Sequence, residues 1–560
     1  MKGLFPALAI MFAHICAETS DAAKIIRPLP GSAYGVTREG DSLAVFGDGI
    51  YDYEGKKLRV LFVTRDVDDA PVTFTDNPEA FAFWVSVIEL KQLETYSFPP
   101  AGEYYRGEKD SGAQYLWRWI GMYAPDLVVE VVKGDVEAWH VPASKSLPQL
   151  AELAKMLPNV RELADARELV VQLTKSSPSG TGLIPAVRVT TKADSYSYVH
   201  SLESAIEKSK LPPSPARLEI QKRLARTPEE VAAQLLAVYG KKLDAVQYIP
   251  ALAVVGRLRE DRIVNGEKSP ISPIAIAAVE PYLIGKKPAL SPKSGGSDFA
   301  GHLLFGELAE MTGDKRYVEL VKAVADRAFD ADGKPRESMP SHSEMSDAVF
   351  MGCPILAQAG KLTGEEKYLE ACLRNLRFMQ KLCLRKDGLY RHSPLDETAW
   401  GRGNGFPGLG LAWSLSEIPE TYKGREEILA SFRAHMEVML KHQDAAGCWH
   451  QVVDHPESYR EFTVTAMTTY AMARGVRMGW LDREKFAPAI ERGWYALRTR
   501  IAADGGLVDV CTGTGKMKSL RDYYDRPAIL GRDDRGGAMA LMVTTEMQQY
   551  LRRFDASERR

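Results

Sequence analysis

The stretch Thr363–Gly388, TGEEKYLEACLRNLRFMQKLCLRKDG, opens on a helix stop and restart and closes on a tight Asp-Gly turn. Its opening recurs as TGDKRY at Thr312–Tyr317, in the equivalent place between two helices. Its closing turn recurs as Asp332-Gly333, Ala446-Gly447 and Asp504-Gly505. The spacing is about sixty residues, which is two helices per unit. Units counted this way begin near Thr227, Asp298, Ser346, Gly405, Glu461 and Gly536. Six such hairpins close into a double ring, an (α/α)6 barrel over residues 225–555, whose inner helices present their N-terminal loops to one mouth. An open helical solenoid is the alternative.

Upstream the pattern changes type every dozen or so residues. Leu58–Thr64 (LRVLFVT) reads as a strand, Pro78–Leu93 as a helix, AQYLWRWIGMYA (Ala113–Ala124) as a second helix, and Asp126–Val132 (DLVVEVV) as a strand. This mixture predicts an α/β domain with a largely parallel sheet over residues 40–212. LPPSP, Leu211–Pro215, is a stiff break and marks the boundary. The fold class is therefore an α/β domain followed by an all-α barrel.

Composition excludes several classes. The 560 residues hold 72 Lys plus Arg against 74 Asp plus Glu, so there is no positive field to hold nucleic acid. The six cysteines contain no CxxC pair and form no disulfide framework. Residues 1–17 read as a secretory signal peptide, with Lys2, an apolar run and small Ala17, so the chain is expected to be secreted or periplasmic. No later stretch is apolar for long enough to span a membrane. No oligomeric state follows from the sequence.

There is no GxSxG, HExxH or Walker loop. Gly403, Gly405 and Gly408 spell GxGxxG, but Pro407 interrupts them and no strand precedes, so a loop opening a helix is the reading. Polar residues do crowd the starts of the inner helices: Asp298, His302, His342, Glu344, Asp347, His392, Trp400, Arg402, Asn404, His450, Tyr523, Tyr524 and Arg526. Carboxylates for proton transfer, Arg and His for an anionic group, and rings for stacking together suit an acidic sugar. For several of these a plain structural role stands beside the functional one. Ser346 and Asp347 also suit a helix cap, His342 and His392 a loop, Trp400 and Phe406 the core, and Arg402 an ion pair with Asp396.

Four segments resemble the unsaturated glucuronyl and rhamnogalacturonyl hydrolases, glycoside hydrolase families 88 and 105. They are SEMSDAVFMGCPILAQAGKLTGEEKYLE (Ser343–Glu370), WGRGNGF (Trp400–Phe406), the run Cys448–Asp482, and YYDRPAILGRDDRGGAMALMVTTEM (Tyr523–Met547). The resemblance implies a barrel that removes a Δ4,5-unsaturated uronic acid from the non-reducing end of lyase-generated oligosaccharides. In those families an aspartic acid protonates C4, and the same group helps water add at C5. By motif the donor here is Asp347, with Asp298 near the position of the second active-site aspartate. His342, Glu344, His392, Trp400, Arg402, Asn404, His450, Tyr524 and Arg526 are the expected substrate contacts. Glu344 and Asp298 are the like charges expected to keep Asp347 protonated. No cofactor and no metal are implied. The alternatives are an inverting glucuronidase using Asp298 and Asp347, and a non-catalytic carbohydrate-binding protein.

The run Pro99–Val131 loosely resembles the sheet region of zinc carboxypeptidase-like domains, but LFVTRDVDDAP lacks the HxxE pair. Asp66, Asp68 and Asp69 read as a solvated acidic loop rather than as metal ligands. This domain is expected to be non-catalytic.

Overall fold

The computed structural model describes residues 28–47, 51–64, 83–89, 97–100, 111–164, 167–192, 197–266 and 270–558. The leader expected over residues 1–17 and the acidic loop with Asp66, Asp68 and Asp69 lie outside the described residues.

Runs of Val, Leu and Phe build a mixed sheet of eight strands. They are β1 (Pro28–Val36), β2 (Ser42–Gly47), β3 (Leu58–Thr64), β4 (Phe83–Glu89), β5 (Leu127–Lys133), β6 (Ala138–Pro142), β7 (Val160–Leu163) and β8 (Ala186–Thr191), in the order β1-β2-β4-β3-β5-β8-β6-β7. The central strands β4, β3, β5 and β8 are parallel, with Val60 opposite both Val85 and Leu127. Antiparallel pairs lie at β1-β2, β2-β4 and β8-β6. One face buries Val60, Phe62 and Val129 beneath α2 (Pro148–Met156) and α4 (Ser197–Ser209). The other buries Leu61, Val63 and Val128 beneath α1 (Ser111–Tyr123) and α3 (Leu169–Leu173). Covering on both faces explains why the central strands read as unbroken apolar runs. It also explains one correction, because Phe83–Glu89, the described part of the helix expected over Pro78–Leu93, is strand β4. An apolar segment buried on both sides carries no alternation to tell strand from helix. The sheet also begins earlier than residue 40, at Pro28.

Leu211–Pro215 does break the chain, but it is anchored rather than loose. Leu211 and Ser214 are buried, and Ser214 caps α5 (Pro215–Leu224) by accepting from the Arg217 amide at 3.1 Å, with Pro215 in the first turn.

The remainder is helical. The helices are α6 (Pro228–Leu236), α7 (Tyr248–Asn265), α8 (Pro273–Leu283), α9 (Gly296–Gly301), α10 (Leu303–Thr312), α11 (Lys315–Ala325), α12 (Ala348–Thr363), α13 (Glu366–Cys383), α14 (Gly401–Glu417), α15 (Arg425–Lys441), α16 (Phe462–Arg477) and α17 (Arg483–Thr499). A two-stranded ribbon, β9 (Leu507–Cys511) with β10 (Ala528–Gly531), encloses the short α18 (Leu520–Tyr524) and leads into α19 (Asp534–Glu558). Helices α12, α14 and α16 are buried nearly all round, whereas α11, α13 and α17 bury one stripe. The buried helices pack in a closed circuit: α7 on α9 and α10, these on α12, then α14, α16, α19 and back to α7. Gly410 lets α14 approach α12, since a Cβ there would lie 2.8 Å from the Phe350 backbone.

Each expected Asp-Gly or Ala-Gly turn ends a helix pair. Gly333, Gly388, Gly447 and Gly505 all have positive φ, between 77° and 89°. Each glycine amide donates three residues back, to Asp330, Arg385, Asp444 and Ala502 respectively. Gly313 and Gly364 end α10 and α12 in the left-handed conformation, as the TG motifs predict. The unit expected from Thr227 differs, because the helix it caps, α6, packs on α19 at the far end of the sequence. The partner of α7 is α8.

Candidate active site

Asp347 stands at the start of α12, with 6% of its surface exposed. Its side chain makes no capping hydrogen bond, and the neighbouring Ser346 hydroxyl donates instead to the Gly403 carbonyl at 2.7 Å. The capping role that spacing alone allowed is thus filled by neither side chain. Asp347 Oδ1 lies 3.4 Å from His392 Nε2. His392 is fully buried, shares a 2.9 Å hydrogen bond between Nδ1 and Tyr523 Oη, and lies 4.5 Å from the Trp400 ring, centroid to centroid.

Trp400 opens α14, and Arg402 follows in its first turn with the guanidinium 5.0 Å over the indole. Arg402 Nη2 donates to the Thr512 carbonyl at 2.7 Å, just beyond β9. Burial would lower its pKa, but Cys511, Tyr248, Glu461 and Asp347 outweigh this and hold the guanidinium charged. Asp396 is not its partner: that carboxylate accepts from the amide and hydroxyl of Thr398.

Among the described residues, four buried polar atoms in this cluster have no hydrogen-bond partner: Asp347 Oδ1, His392 Nε2, Trp400 Nε1 and Arg402 Nη1. Leaving such atoms unpaired costs about 1–3 kcal/mol each. One acceptor and three nitrogens gathered at the starts of two buried helices form a surface that a polar ligand would satisfy.

Other expected residues have structural duties. Asn404 accepts from the Tyr390 amide at 2.8 Å and donates to the carbonyls of Tyr390 and Trp400, so its amide holds the loop carrying His392. His450 is held by the Ser458 carbonyl at 2.6 Å and by Asp444 at 3.1 Å. Tyr524 donates to Glu457 at 2.6 Å. Arg526 donates to the Thr512 hydroxyl and the Gly513 carbonyl, fixing the loop beside Arg402. Phe406 is core, stacked on Phe350 at 5.5 Å.

Glu344 is exposed and paired with Lys516. Asp298 binds the Gly295 amide at 2.7 Å, closing the N-terminus of its own short helix. His342, at φ 60°, lies against Gly296, where a Cβ would come within 2.3 Å of its Nδ1. His302 is fully buried and bonded to the Asp298 carbonyl at 2.8 Å; burial pushes its pKa down to about 4.

Sequence reasoning missed Tyr248 and Thr512. Tyr248 opens α7 and packs on Phe350 and Phe406, and its hydroxyl, raised in pKa chiefly by burial, feels Arg402 and Asp347. The available signal was a lone aromatic in the first turn of an inner helix. Thr512 acts through its backbone carbonyl, which no residue type advertises.

A carboxylate, an imidazole, an indole and a guanidinium thus gather where the buried helices α12 and α14 begin. Residues 292–551 match the profile of Glycosyl Hydrolase Family 88. An unsaturated 3S-rhamnoglycuronyl hydrolase of Alteromonas sp. (strain LOR) is 28% identical over 202 residues, covering 33% of this chain and 49% of that protein. An unsaturated rhamnogalacturonyl hydrolase of Bacillus subtilis (strain 168) is 25% identical over 247 residues, covering 40% and 69%. The chain thus spans about half the length of the first relative and somewhat more of the second. Among solved structures, a family 105 glycoside hydrolase of C. acetobutylicum ATCC 824 is 21% identical with a TM-score of 0.49, over 57% of this chain and 98% of that one.

Proposed function

We propose that residues 225–555 form an (α/α)6 barrel that removes a Δ4,5-unsaturated uronic acid from the non-reducing end of acidic oligosaccharides by hydrating its C4=C5 bond. The observation that carries this reading is the buried, non-capping carboxylate of Asp347 beside His392, within the matched family region. In this reaction Asp347 gives its proton to C4, and water adds at C5 and returns a proton to Asp347. The resulting hemiketal opens the ring, leaving a hemiacetal at C1 that expels the attached sugar. Arg402, with one unpaired guanidinium nitrogen, supports recognition of the uronate carboxylate, and His392 and Tyr523 support positioning of Asp347 and of the water. Every step uses groups of this chain and water alone.

The test mixes the purified chain with lyase-generated oligosaccharides and follows the ultraviolet absorbance of the conjugated enol-ether carboxylate. Wild type is expected to remove the absorbance, and Asp347→Asn to slow it by about 10²–10⁴-fold, the usual weight of a proton donor. Persistence of the absorbance with release of saturated uronate from glucuronides would overturn this reading in favour of a conventional glycosidase.

A further inference from the structure

Two loops that hold the Asp347 cluster are joined by an ion pair. The first, residues 342–346, leads into α12. Its Met345 amide donates to the His342 carbonyl and its Ser346 amide to the His392 carbonyl, both at 2.9 Å, so Glu344 stands in a closed turn three residues before Asp347. The second loop, residues 512–519, joins β9 to α18. Its Thr512 carbonyl accepts from Arg402 at 2.7 Å. Its Met517 amide donates at 3.4 Å to Tyr523 Oη, the hydroxyl that shares a hydrogen bond with His392 Nδ1. Lys516 lies between these two anchors, and its Nζ closes the gap to Glu344.

The pair lies outward of the reacting carboxylate. The side chains of Lys516 and Glu344 are 38% and 65% exposed, against 9% for that of Asp347. In a pyranose ring C1 stands opposite C4, so a uronate with its C4 at Asp347 directs its glycosidic bond toward the exposed rim. The sugar that leaves is the part that meets the rim. The neighbouring charges of the two loops are engaged: Asp522 accepts from the Ser519 hydroxyl and the Lys518 amide, Asp396 from Thr398, and Arg526 donates to Thr512 and Gly513. Lys518 is exposed, two residues from Lys516.

The chemistry of such a pair discriminates. A carboxylate accepts and an ammonium donates, so neighbouring hydroxyls of an uncharged sugar satisfy both at once. A sulfate or carboxylate reaches Lys516 only by displacing Glu344, whose like charge then stands beside it. We propose that Glu344 and Lys516 read the leaving sugar and select an uncharged, hydroxyl-bearing one over a sulfated or uronic one. This specificity rests on the reading of Asp347 as the proton donor to an unsaturated uronate.

Two lyase-made disaccharides with the same unsaturated uronate, one linked to N-acetylgalactosamine and one to its 6-sulfate, provide the test. They are compared by loss of ultraviolet absorbance and by calorimetric titration into Asp347→Asn protein. Wild type is expected to favour the unsulfated sugar by about tenfold or more in kcat/KM, chiefly through KM. Glu344→Gln, which frees Lys516 and keeps the side-chain shape, is expected to narrow that preference about tenfold by lowering KM for the sulfated sugar. Adding Lys516→Met to it is expected to remove the gain, and Lys518→Met alone to leave the ratio as in wild type. A wild-type preference for the sulfated sugar, a ratio unmoved in Glu344→Gln, or an equal shift from Lys518→Met overturns the proposal. Titration separates this proposal from the chemistry it rests on. Absence of turnover, with a binding preference that Glu344→Gln still narrows, counts against the Asp347 reaction alone. Turnover with an unmoved ratio counts against the pair alone, and failure of both sugars to bind overturns both.

Discussion

The Asn404 side chain makes three hydrogen bonds to the backbone of Tyr390 and Trp400, and none of these groups reaches solvent. Asn404→Ala is expected to destabilise the fold by about 2–4 kcal/mol, because it strands buried amide and carbonyl groups. Urea denaturation measures this. His302 offers a pH signature. Its folded pKa of about 4 lies below the value of about 6.5 expected unfolded, so the unfolded chain binds the proton first. The stability it contributes is complete above pH 6.5 and is lost as pH falls through 4, a change of about 3 kcal/mol at most. His302→Gln is expected to flatten the stability profile over that window while leaving the profile above pH 7 parallel to wild type. Asp347, Trp400 and Arg402 were legible in the sequence because each sits beside a helix start. The sequence did not disclose who is free. Asp347 and Asn404 both belong to family-like motifs, but one carboxylate oxygen lacks a partner while the amide of the other is fully engaged. That difference depends on three-dimensional neighbours.

At the scale of the element, the repeating turns were legible because only a left-handed residue closes them, and glycine announces such a position. The turns are not equally tolerant. A Cβ on Gly333 meets nothing within 4 Å, whereas one on Gly447 would lie 2.2 Å from the Arg492 carbonyl oxygen. Gly333→Ala is therefore expected to cost only the conformational penalty of about 1–2 kcal/mol. Gly447→Ala must also push α17 away and should cost at least twice as much in urea titrations; equal losses would show that the α17 contact yields freely. Elements without a turn signature were harder to assign. Strand β4 lacked alternation because both its faces are covered. The role of α6 was hidden because its packing partner, α19, lies some three hundred residues further on, and only closure of the circuit brings them together.

Across the whole molecule, the boundary at Leu211–Pro215 is a joint under load rather than a tether. Asp126, at the foot of β5, accepts from the amides of Arg59 and Ser214 at 2.9 Å each and from Arg217 Nη1 at 2.5 Å, and both partners of this ion pair are almost wholly buried. Arg217 in turn donates to the carbonyls of Tyr53 and Lys57. From the same helical segment, Arg223 and Arg226 donate to the carbonyls of Thr499 and Ile501 at the end of α17. One apolar cluster contains Leu116 and Trp119 of the sheet domain together with Trp400, Val452 and Tyr523 of the helical half. Melting the sheet domain would therefore expose the indole that backs His392. Unfolding by urea is expected to show one transition, with circular dichroism, tryptophan fluorescence and enzymatic activity lost at the same midpoint. Asp126→Ala, which leaves the Arg217 charge buried without its carboxylate, is expected to lower stability by about 3–5 kcal/mol and to shift all three midpoints together. A first transition that removed sheet structure while activity survived to a second would show that the helical half keeps its site without the sheet domain against Trp400.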